Sequence, residues 1–288
     1  MPQASDIEIR LLSESDIDEA MKIKELVGWN QTEDDWRRLL KVQPQGCFGA
    51  IRNGELVGTT TTTCYDHDLA WVGMVLVHPA NRRMGIATRL VRHALDYLVD
   101  IVGTVKLDAT ADGQRLYERL GFHVESLVER WSGIAVPQGR VEGEVEVTHL
   151  NESTTSELLA LDRRAFCADR STLIKALVAN ASAVPAIARA KHGEVRGYSI
   201  ARRGSRVSYV GPIVATTANQ AAALLDRTLD QLTGEEVYVD VNTRFEGWPR
   251  VLQDRGFSKQ RELIRMRCGE LSNPTSPWVF GIAGPEVG

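Results

Sequence analysis

The sequence has few of the features that define several protein classes. Its 288 residues include only 4 Cys, at positions 47, 64, 167 and 268, and no two of them form a CxxC pair. This spacing supports neither a zinc site nor a disulfide framework, and the simplest compartment is a reducing cytoplasm. No apolar run approaches the roughly 18 residues that a membrane helix needs. The opening residues, MPQASDIEIR, lack the basic and then apolar segments of a secretory signal.

An excess of basic residues is also missing. The formal net charge is −4 and the sequence pI is about 5.9, so neither nucleic acid nor an anionic membrane is an expected partner. Hydrophobic residues make up 43% and charged residues 25% of the chain, which is typical of a folded globular protein. A chain of 288 residues is long for one compact domain and sufficient for two domains of about 140 residues each.

The sequence repeats itself. Three pairs of short segments match in the same order: Ile9–Ser15 with Val147–Ser153, Ala50–Gly58 with Arg189–Gly197, and Val105–Thr110 with Val237–Asn242. The first two pairs have nearly the same offset, 138 residues from Ile9 to Val147 and 139 from Gly54 to Gly193, and the third follows in the same order. Repeats at a fixed offset indicate duplication of a structural unit. We therefore predict two domains, 1–138 and 139–288, which meet in a turn-rich stretch at residues 137–140.

Each repeat is predicted to contain a strand, two helices, a hairpin, a strand, a helix, a strand, a helix and a final strand. In the first repeat the patterns predict helices at Glu14–Leu26, Thr32–Leu40 and Ile86–Val99, and strands at Cys47–Ile51, Leu56–Cys64 and Trp71–Val77. The spacing of Thr32 and Asp35 is that of a helix cap. Mixed strands and helices with crossover connections define an α/β fold class.

One strand-to-helix junction in the first repeat carries a distinctive loop. The buried strand Met74–Val77 is followed by the loop His78–Ala87, whose sequence is HPANRRMGIA. A loop of this kind directs several unpaired N–H groups at one point, where an anion can bind. Gly85 permits a sharp turn and close approach of a phosphate, and Arg82 and Arg83 add charged donors. A dinucleotide-binding GxGxxG motif and a Walker loop are both missing, and the remaining alternative is an ordinary turn with two solvated arginines.

The pattern Arg82-x-x-Gly85-x-Ala87, placed between this strand and this helix, resembles the acyl-CoA pyrophosphate loop of the GNAT acetyltransferase superfamily. The resemblance covers the whole first repeat. It implies an α+β GNAT-type fold, with two tandem units that each contain a mixed, mostly antiparallel sheet flanked by helices. It also implies acetyl-CoA as co-substrate, with no metal. The cofactor-binding positions it implies are Leu76, Val77, Arg82, Arg83, Met84, Gly85, Ile86, Ala87, Thr88, Thr110 and Gly113.

The resemblance extends to the segment Leu116–Phe122. In GNAT enzymes a Tyr at this position often lies near the thiol of CoA, which makes Tyr117 the candidate general acid. A phenol of pKa near ~10 is protonated at neutral pH and can donate to a departing thiolate. The alternative is a core Tyr whose hydroxyl is bonded elsewhere. Many members of the family carry Asn where this sequence has Thr110, and Thr has less reach toward a pantetheine amide.

The second repeat lacks these signals. Its equivalent junction, Gly211–Ala221, has neither the Arg nor the Gly after the strand, and Leu252 aligns with Tyr117. We therefore expect a degenerate GNAT-like second domain without acyl-CoA chemistry. The two repeats, the segment Gly28–Asn30 and the final segment Gly281–Gly288 together resemble a tandem bacterial GNAT group.

The acceptor site is less clearly marked. Asp108 lies at an even position of the strand Val105–Thr110 and is a candidate for anchoring an ammonium group, although its counterpart Asp240 favours a structural role equally. Trp29, Asn30 and Gln31 lie between the first two helices, in a loop that commonly borders the GNAT acceptor site. A solvated loop residue, His67, is a weaker candidate for the base.

These observations together predict a cytoplasmic acetyl-CoA-dependent N-acetyltransferase that acts on a small amine by direct attack on the thioester. Two alternatives remain: a non-catalytic acyl-CoA-binding or regulatory module, and an acyltransferase with a longer acyl donor. The sequence identifies neither the acceptor, nor the general base, nor the oligomeric state.

Overall fold

The computed structural model describes residues 7–138, 145–270 and 276–288. These residues form two compact units. Unit 1 comprises 7–125, 266–270 and 286–288, and unit 2 comprises 126–138, 145–265 and 276–285. Within the described residues, no helix combines the length and apolar character that crossing a membrane requires.

Unit 1 follows the element order predicted for the first repeat. Its elements are β1 (Ile7–Leu11), α1 (Ile17–Leu26), α2 (Glu33–Val42), β2 (Cys47–Arg52), β3 (Glu55–Tyr65), β4 (Leu69–Val77), α3 (Ile86–Leu98), β5 (Thr104–Ala109) and α4 (Ala111–Arg119). A short 3-10 helix, Glu14–Asp16, precedes α1. The predicted helices and strands are all present, with ends that differ by no more than three residues.

Unit 2 repeats this order. The remaining elements of the chain are β6 (His123–Ile134), β7 (Glu146–His149), α5 (Glu152–Phe166), α6 (Ser171–Ala179), β8 (Ala186–Arg189), β9 (Val195–Arg202), β10 (Ser208–Ala215), α7 (Ala218–Gln231), β11 (Glu236–Asn242), α8 (Trp248–Gln253), β12 (Ser258–Gly269) and β13 (Val279–Gly281).

Each unit has a mixed, mainly antiparallel sheet, as the predicted fold class requires. In unit 1 the strand order is β1-β2-β3-β4-β5, and only β4 and β5 pair in parallel. In unit 2 the order is β6-β11-β10-β9-β8-β7, and β10 pairs in parallel with β11. The single parallel pair is joined by a helix in both units, α3 in unit 1 and α7 in unit 2, because parallel neighbours need a crossover connection.

Local sequence signals explain where these elements begin and turn. Thr32 caps α2: its main-chain N–H donates to Asp35 Oδ2 at 2.8 Å, and its hydroxyl accepts from the Asp35 N–H at 3.3 Å. This reciprocal capping confirms the cap predicted from the Thr-x-x-Asp spacing. The turn between β2 and β3 contains Asn53 and Gly54 at φ 53° and 83°, the left-handed conformation that a tight hairpin requires.

One core cluster of unit 1 lies between the sheet and α3. Ile86, Leu90 and Ala94 are buried on one face of α3 and pack against Phe48 and Ala50 of β2. These helical positions match the predicted apolar stripe, and their burial removes most of the apolar surface of α3 from water. The stripe thus fixes which face of α3 packs on the sheet.

The duplication is visible in corresponding turns. In unit 1 the Phe122 N–H donates to the carbonyl of Tyr117 at 3.0 Å across Gly121 (φ 88°). The matching turn in unit 2 places Phe257 and Leu252 in the same hydrogen bond, at 3.1 Å. Leu252 is therefore the geometric counterpart of Tyr117.

The compact units do not follow the order of the chain completely. Most of β6 belongs to unit 2, whereas Met266–Gly269 of β12 and the last residues, 286–288, belong to unit 1. The domain limits inferred from the repeat, 1–138 and 139–288, therefore stay a prediction about the duplicated sequence. Part of the predicted boundary, residues 139–144, lies outside the described residues.

Candidate active site

The parallel strands of unit 1 separate at one end. The pairs between β4 and β5 are Leu69–Thr104, Ala70–Val105 and Trp71–Lys106. Within these two fully described strands no later pair forms, although β4 continues to Val77. A V-shaped opening therefore runs along the carboxyl-terminal half of β4, where main-chain groups of β4 have no partner on β5.

A β-bulge in β4 lies at the start of this opening. The register with β3 shifts between Thr59–Leu76 and Thr61–Gly73, which leaves one extra residue in β4. Met74 in the bulge has φ 49°, and its carbonyl accepts a hydrogen bond from the Thr59 hydroxyl at 2.7 Å. Bulges bend a strand and redirect its groups, and they occur preferentially next to active sites.

The loop after β4 ends at Gly85, which is the N-cap of α3. Gly85 has φ 76°, and a Cβ atom added there would meet no atom within 4 Å. No side chain caps α3, in contrast to α2. The first-turn N–H groups and the positive end of the helix dipole are therefore available to an anion.

Two arginines flank this helix end. Arg82 and Arg83 are exposed, and Arg83 has φ 62°. The start of the loop is fixed from β2, because Arg52 Nη1 donates to Asn81 Oδ1 at 2.8 Å. Uncapped N–H groups beside two exposed guanidinium groups form an anion-binding site whose chemistry suits a pyrophosphate.

The apolar positions of the predicted loop contribute differently. Leu76 and Ile86 are 3% and 2% exposed and belong to the core, so any contact they make with a ligand is through the main chain. Val77, Ala87 and Thr88 are half-buried. Met84 is also half-buried, with its sulfur 3.7 Å from Arg52 Nη1.

Tyr117 lies on α4, the helix that directly follows β5. Its ring meets Phe122 edge-to-face, with 5.9 Å between the ring centroids, and the residue is 9% exposed. Burial raises the pKa of the Tyr117 phenol, because an apolar environment disfavours the phenolate. Across the described part of the chain its hydroxyl has no hydrogen-bond partner, so a proton is held there without a competing acceptor.

Thr110 and Gly113 support this helix. The Thr110 hydroxyl accepts from the Gly113 N–H at 3.3 Å and caps α4. A Cβ atom at Gly113 would lie 2.9 Å from the Tyr117 ring, so only a glycine at this position leaves enough room for the ring. The predicted contact of Thr110 with pantetheine stays a prediction, and the lone pair engaged in the cap is not available for it.

Asp108 and its counterpart differ in environment. Asp108 lies on β5 and is half-buried. Asp240 is fully buried in unit 2, where it accepts two hydrogen bonds from Arg130 at 2.7 and 2.6 Å. A buried carboxylate that accepts two hydrogen bonds from one arginine holds the fold together, so the role of Asp240 is structural. The role of Asp108 in anchoring an acceptor stays a prediction.

The loop between α1 and α2 contacts residues 286–288, which we call the tail segment. Trp29, Asn30 and Gln31 are half-buried, and Gln31 Nε2 donates to Glu286 Oε2 at 3.1 Å. The tail segment is fixed to β3 as well, because Tyr65 Oη donates to the Val287 carbonyl at 2.6 Å. The sequence analysis did not predict Glu286. The available signal was Gly73 inside β4, since a glycine within a strand often marks the close approach of another backbone.

His67 lies away from the opening. It is exposed in the turn before β4, at the end where β4 and β5 pair, and its carbonyl accepts from the Gly103 N–H at 3.3 Å. This position does not bring its imidazole to the bulge. Within the described ranges no group of three or more His, Cys, Asp or Glu side chains is arranged to hold a metal.

Comparisons with known families agree with this geometry. The family described as "Acetyltransferase (GNAT) family" matches residues 13–122, and the one described as "Acetyltransferase (GNAT) domain" matches residues 158–281. The two matches share no residue and together cover most of the chain. The protein is a tandem member of the GNAT superfamily.

Relatives of this GNAT protein match along nearly their whole length. A Bacillus subtilis protein named uncharacterized N-acetyltransferase YitH is 27% identical over 257 residues, which are 88% of this chain and 89% of the relative. A solved Pyrococcus horikoshii structure described as an acetyltransferase has a TM-score of 0.83 at 24% identity, covering 98% of this chain and 96% of the other. A tandem GNAT protein from the clavulanic acid biosynthesis pathway has a TM-score of 0.68 at 14% identity, covering 93% and 100%.

The second GNAT unit fills its own strand opening. There, β10 and β11 pair at Ser208–Val237 and Tyr209–Tyr238, and β13 then pairs with β10 instead. The chain after β13 also reaches β11, because the Ile282 N–H donates to the Asp240 carbonyl at 2.9 Å. In unit 2, the chain itself therefore pairs with the main-chain groups that correspond to the unpaired groups of β4 in unit 1.

Proposed function

We propose that unit 1 transfers an acetyl group from acetyl-CoA to the nitrogen of a small amine. The observation that carries this proposal is the opening between β4 and β5, flanked by the uncapped end of α3 and by α4 with Tyr117. Membership of the GNAT superfamily supports acyl transfer, and the name of the Bacillus subtilis relative supports nitrogen as the acceptor atom.

Each part of the site has a role in this proposal. Arg82, Arg83 and the N–H groups from Gly85 to Thr88 bind the pyrophosphate of CoA. The unpaired main-chain groups of β4 after the bulge bind the pantetheine amides, and pantetheine thus pairs with β4 as an added strand would. When bound, acetyl-CoA supplies an activated thioester carbonyl and a thiol leaving group. Tyr117 Oη holds the proton that the leaving sulfur takes up.

The second unit has no such role. Its opening is occupied by β13, its junction after β10 has no arginine, and Leu252 takes the place of Tyr117. A leucine side chain carries no exchangeable proton. We therefore propose that unit 2 binds no acyl-CoA and that each chain holds one.

The test is a panel of amines incubated with acetyl-CoA, with released thiol measured over time. Gly85→Val should abolish turnover and acyl-CoA binding, because its side chain would enter the open space above the helix end. Gly54→Val is the matched control, since Gly54 also has a positive φ (83°) and open space around its Cβ position. Both variants should lose similar stability, roughly 1–2 kcal/mol for a left-handed non-glycine residue, but only Gly85→Val should lose binding.

Two results would contradict the proposal. Acyl-CoA binding without turnover on any amine would indicate a binding or regulatory module. A donor series in which longer acyl-CoA esters react at least tenfold faster would indicate a longer acyl donor. Equal loss of binding in Gly54→Val and Gly85→Val would show that the loop at Gly85 does not itself bind the pyrophosphate.

A further inference from the structure

The tail segment lies directly against the strand that carries the bulge. A Cβ atom added at Gly73 would clash with the main chain of Glu286, and one added at Gly288 would lie 2.7 Å from the Trp71 ring. No side chain fits between β4 and the tail segment at either place. Trp71 belongs to the last pair that β4 makes with β5, and Gly73 directly precedes the bulge residue Met74. The tail segment therefore covers β4 where the opening of unit 1 begins.

The helix α3 and the tail segment cover opposite faces of the sheet. Gly58 of β3 faces α3, because a Cβ atom added there would lie 3.0 Å from Ile86. Thr61 faces the other way, since it lies three residues further along β3 and the pairing with β2 is regular over this stretch. Gly73 is paired with Thr61, and directly paired residues of neighbouring strands project to the same face. The tail segment thus lies on the face opposite α3.

The tail segment is a fixed part of this face. Tyr65 Oη donates to the Val287 carbonyl at 2.6 Å, and Gln31 Nε2 donates to Glu286 Oε2 at 3.1 Å. Glu286 and Val287 are only 4% and 3% exposed. A molecule that needs the surface of β4 under the tail segment would therefore have to break these hydrogen bonds and expose buried side chains.

This placement bears on what can reach the opening. The packed apolar stripe of α3 closes one face of the sheet, so an acceptor arrives from the other face, beside the tail segment. A small amine brings few other atoms to this place, whereas an amine within a peptide brings flanking residues that need an extended course over the sheet. We infer that the tail segment blocks such a course and restricts unit 1 to acceptors of low molecular weight. This inference rests on the proposed function of unit 1.

The experiment compares acceptors that share the reacting amine and differ in length. Steady-state kinetics with acetyl-CoA would use Nα-acetyl-lysine amide against a blocked pentapeptide with lysine at its centre, and glycine amide against pentaglycine amide. The wild-type protein should prefer the short member of a pair by about 10- to 200-fold in kcat/KM, the range for one methylene too many in a closed pocket. A protein shortened after Pro285 should lose most of this preference because it gains activity on the peptides.

A second variant tests the same inference with the tail segment retained. Tyr65→Phe removes the hydrogen bond to the Val287 carbonyl, so the preference should fall by about 2- to 10-fold, the net worth of one hydrogen bond. Hydrogen exchange of the stretch 286–288, followed by mass spectrometry, should become faster in this variant. Tyr97→Phe is the matched control, because the Tyr97 hydroxyl accepts from Gln43 Nε2 at 2.8 Å on the α3 side of the sheet. It should change neither the preference nor the exchange.

The outcomes are distinct. Equal efficiency of the wild-type protein on both members of each pair would overturn the inference and leave the proposed function intact. A shortened protein that keeps its turnover on small amines but acetylates no peptide would overturn it as well. If the shortened protein did not fold, Tyr65→Phe would decide, and an unchanged preference in that variant would refute the role of the tail segment. Turnover of the wild-type protein on no amine at all would contradict the proposed function itself.

Discussion

Replacement of Tyr117 by Phe tests the proposed proton donor with little change to the packing. The ring would keep its edge-to-face contact with Phe122 and its place above Gly113. The lost hydroxyl has no hydrogen-bond partner among the described residues, so the free energy of unfolding should change by less than about 1 kcal/mol. Turnover should fall by roughly 10²–10⁴, the range for general acid–base assistance. That range corresponds to about 3–5 kcal/mol of transition-state stabilisation.

The assay measures turnover at saturating acetyl-CoA, acyl-CoA affinity and melting temperature for the same preparations. Tyr198→Phe is the matched control. Tyr198 is fully buried in unit 2, and its hydroxyl donates to Asp162. Removing a hydrogen bond to a charged group should cost about 1.5–3 kcal/mol of stability. Tyr198→Phe should therefore have a lower melting temperature and nearly normal turnover, which is the opposite pattern to Tyr117→Phe.

The pH dependence gives an independent check. Burial raises the pKa of Tyr117 above its ordinary value, so its phenol stays protonated up to and beyond pH ~10. Turnover should therefore show no alkaline loss from this group below pH 10. If Tyr117→Phe turned over at a near-normal rate with saturating acetyl-CoA, Tyr117 would leave the mechanism and water would become the proton donor.

Three further predictions concern other parts of the molecule. Calorimetric titration with acetyl-CoA should give one site per chain, and two equivalent sites would refute the assignment of unit 2. The Arg10 side chain, through its hydrogen bond, lowers the pKa of Asp16 to about 2. The ionised Asp16 therefore stabilises the folded protein above pH ~4, and this contribution to the free energy of unfolding is lost as the pH falls toward 2. Asp16→Asn should thus lower the free energy of unfolding in urea by about 1 kcal/mol at pH 7, after allowance for solvent screening, and by little at pH 2; an equal loss at both pH values would contradict this. Burial raises the pKa of the Cys47 thiol to about 12, so iodoacetamide at pH 8 should alkylate Cys167 and Cys268 first, and early mass-spectrometric labelling of Cys47 would disprove its burial.

The amino-acid sequence by itself determined the local elements and the anion-binding loop. The cap at Thr32, the hairpin turn at Gly54 and the apolar stripe of α3 were all predictable, because neighbours a few residues apart decide them. The sharp turn at Gly85 was predictable as well, but its left-handed φ of 76° was not, because the residue that caps the start of a helix ordinarily has an extended backbone. The counterpart relation of Leu252 and Tyr117 was readable from the repeat, since both precede a Gly-Phe pair by the same distance.

Only the tertiary structure decided how the two openings differ and what borders the first. β13 fills the opening of unit 2, and nothing in the short apolar run Val279–Gly281 marks that destination. Gln31 meets Glu286 across 255 positions of the sequence, and no periodicity or local spacing links residues that far apart. Such contacts form because the folded sheet leaves main-chain and polar side-chain groups that must find partners, and which segment supplies those partners depends on the path of the whole chain.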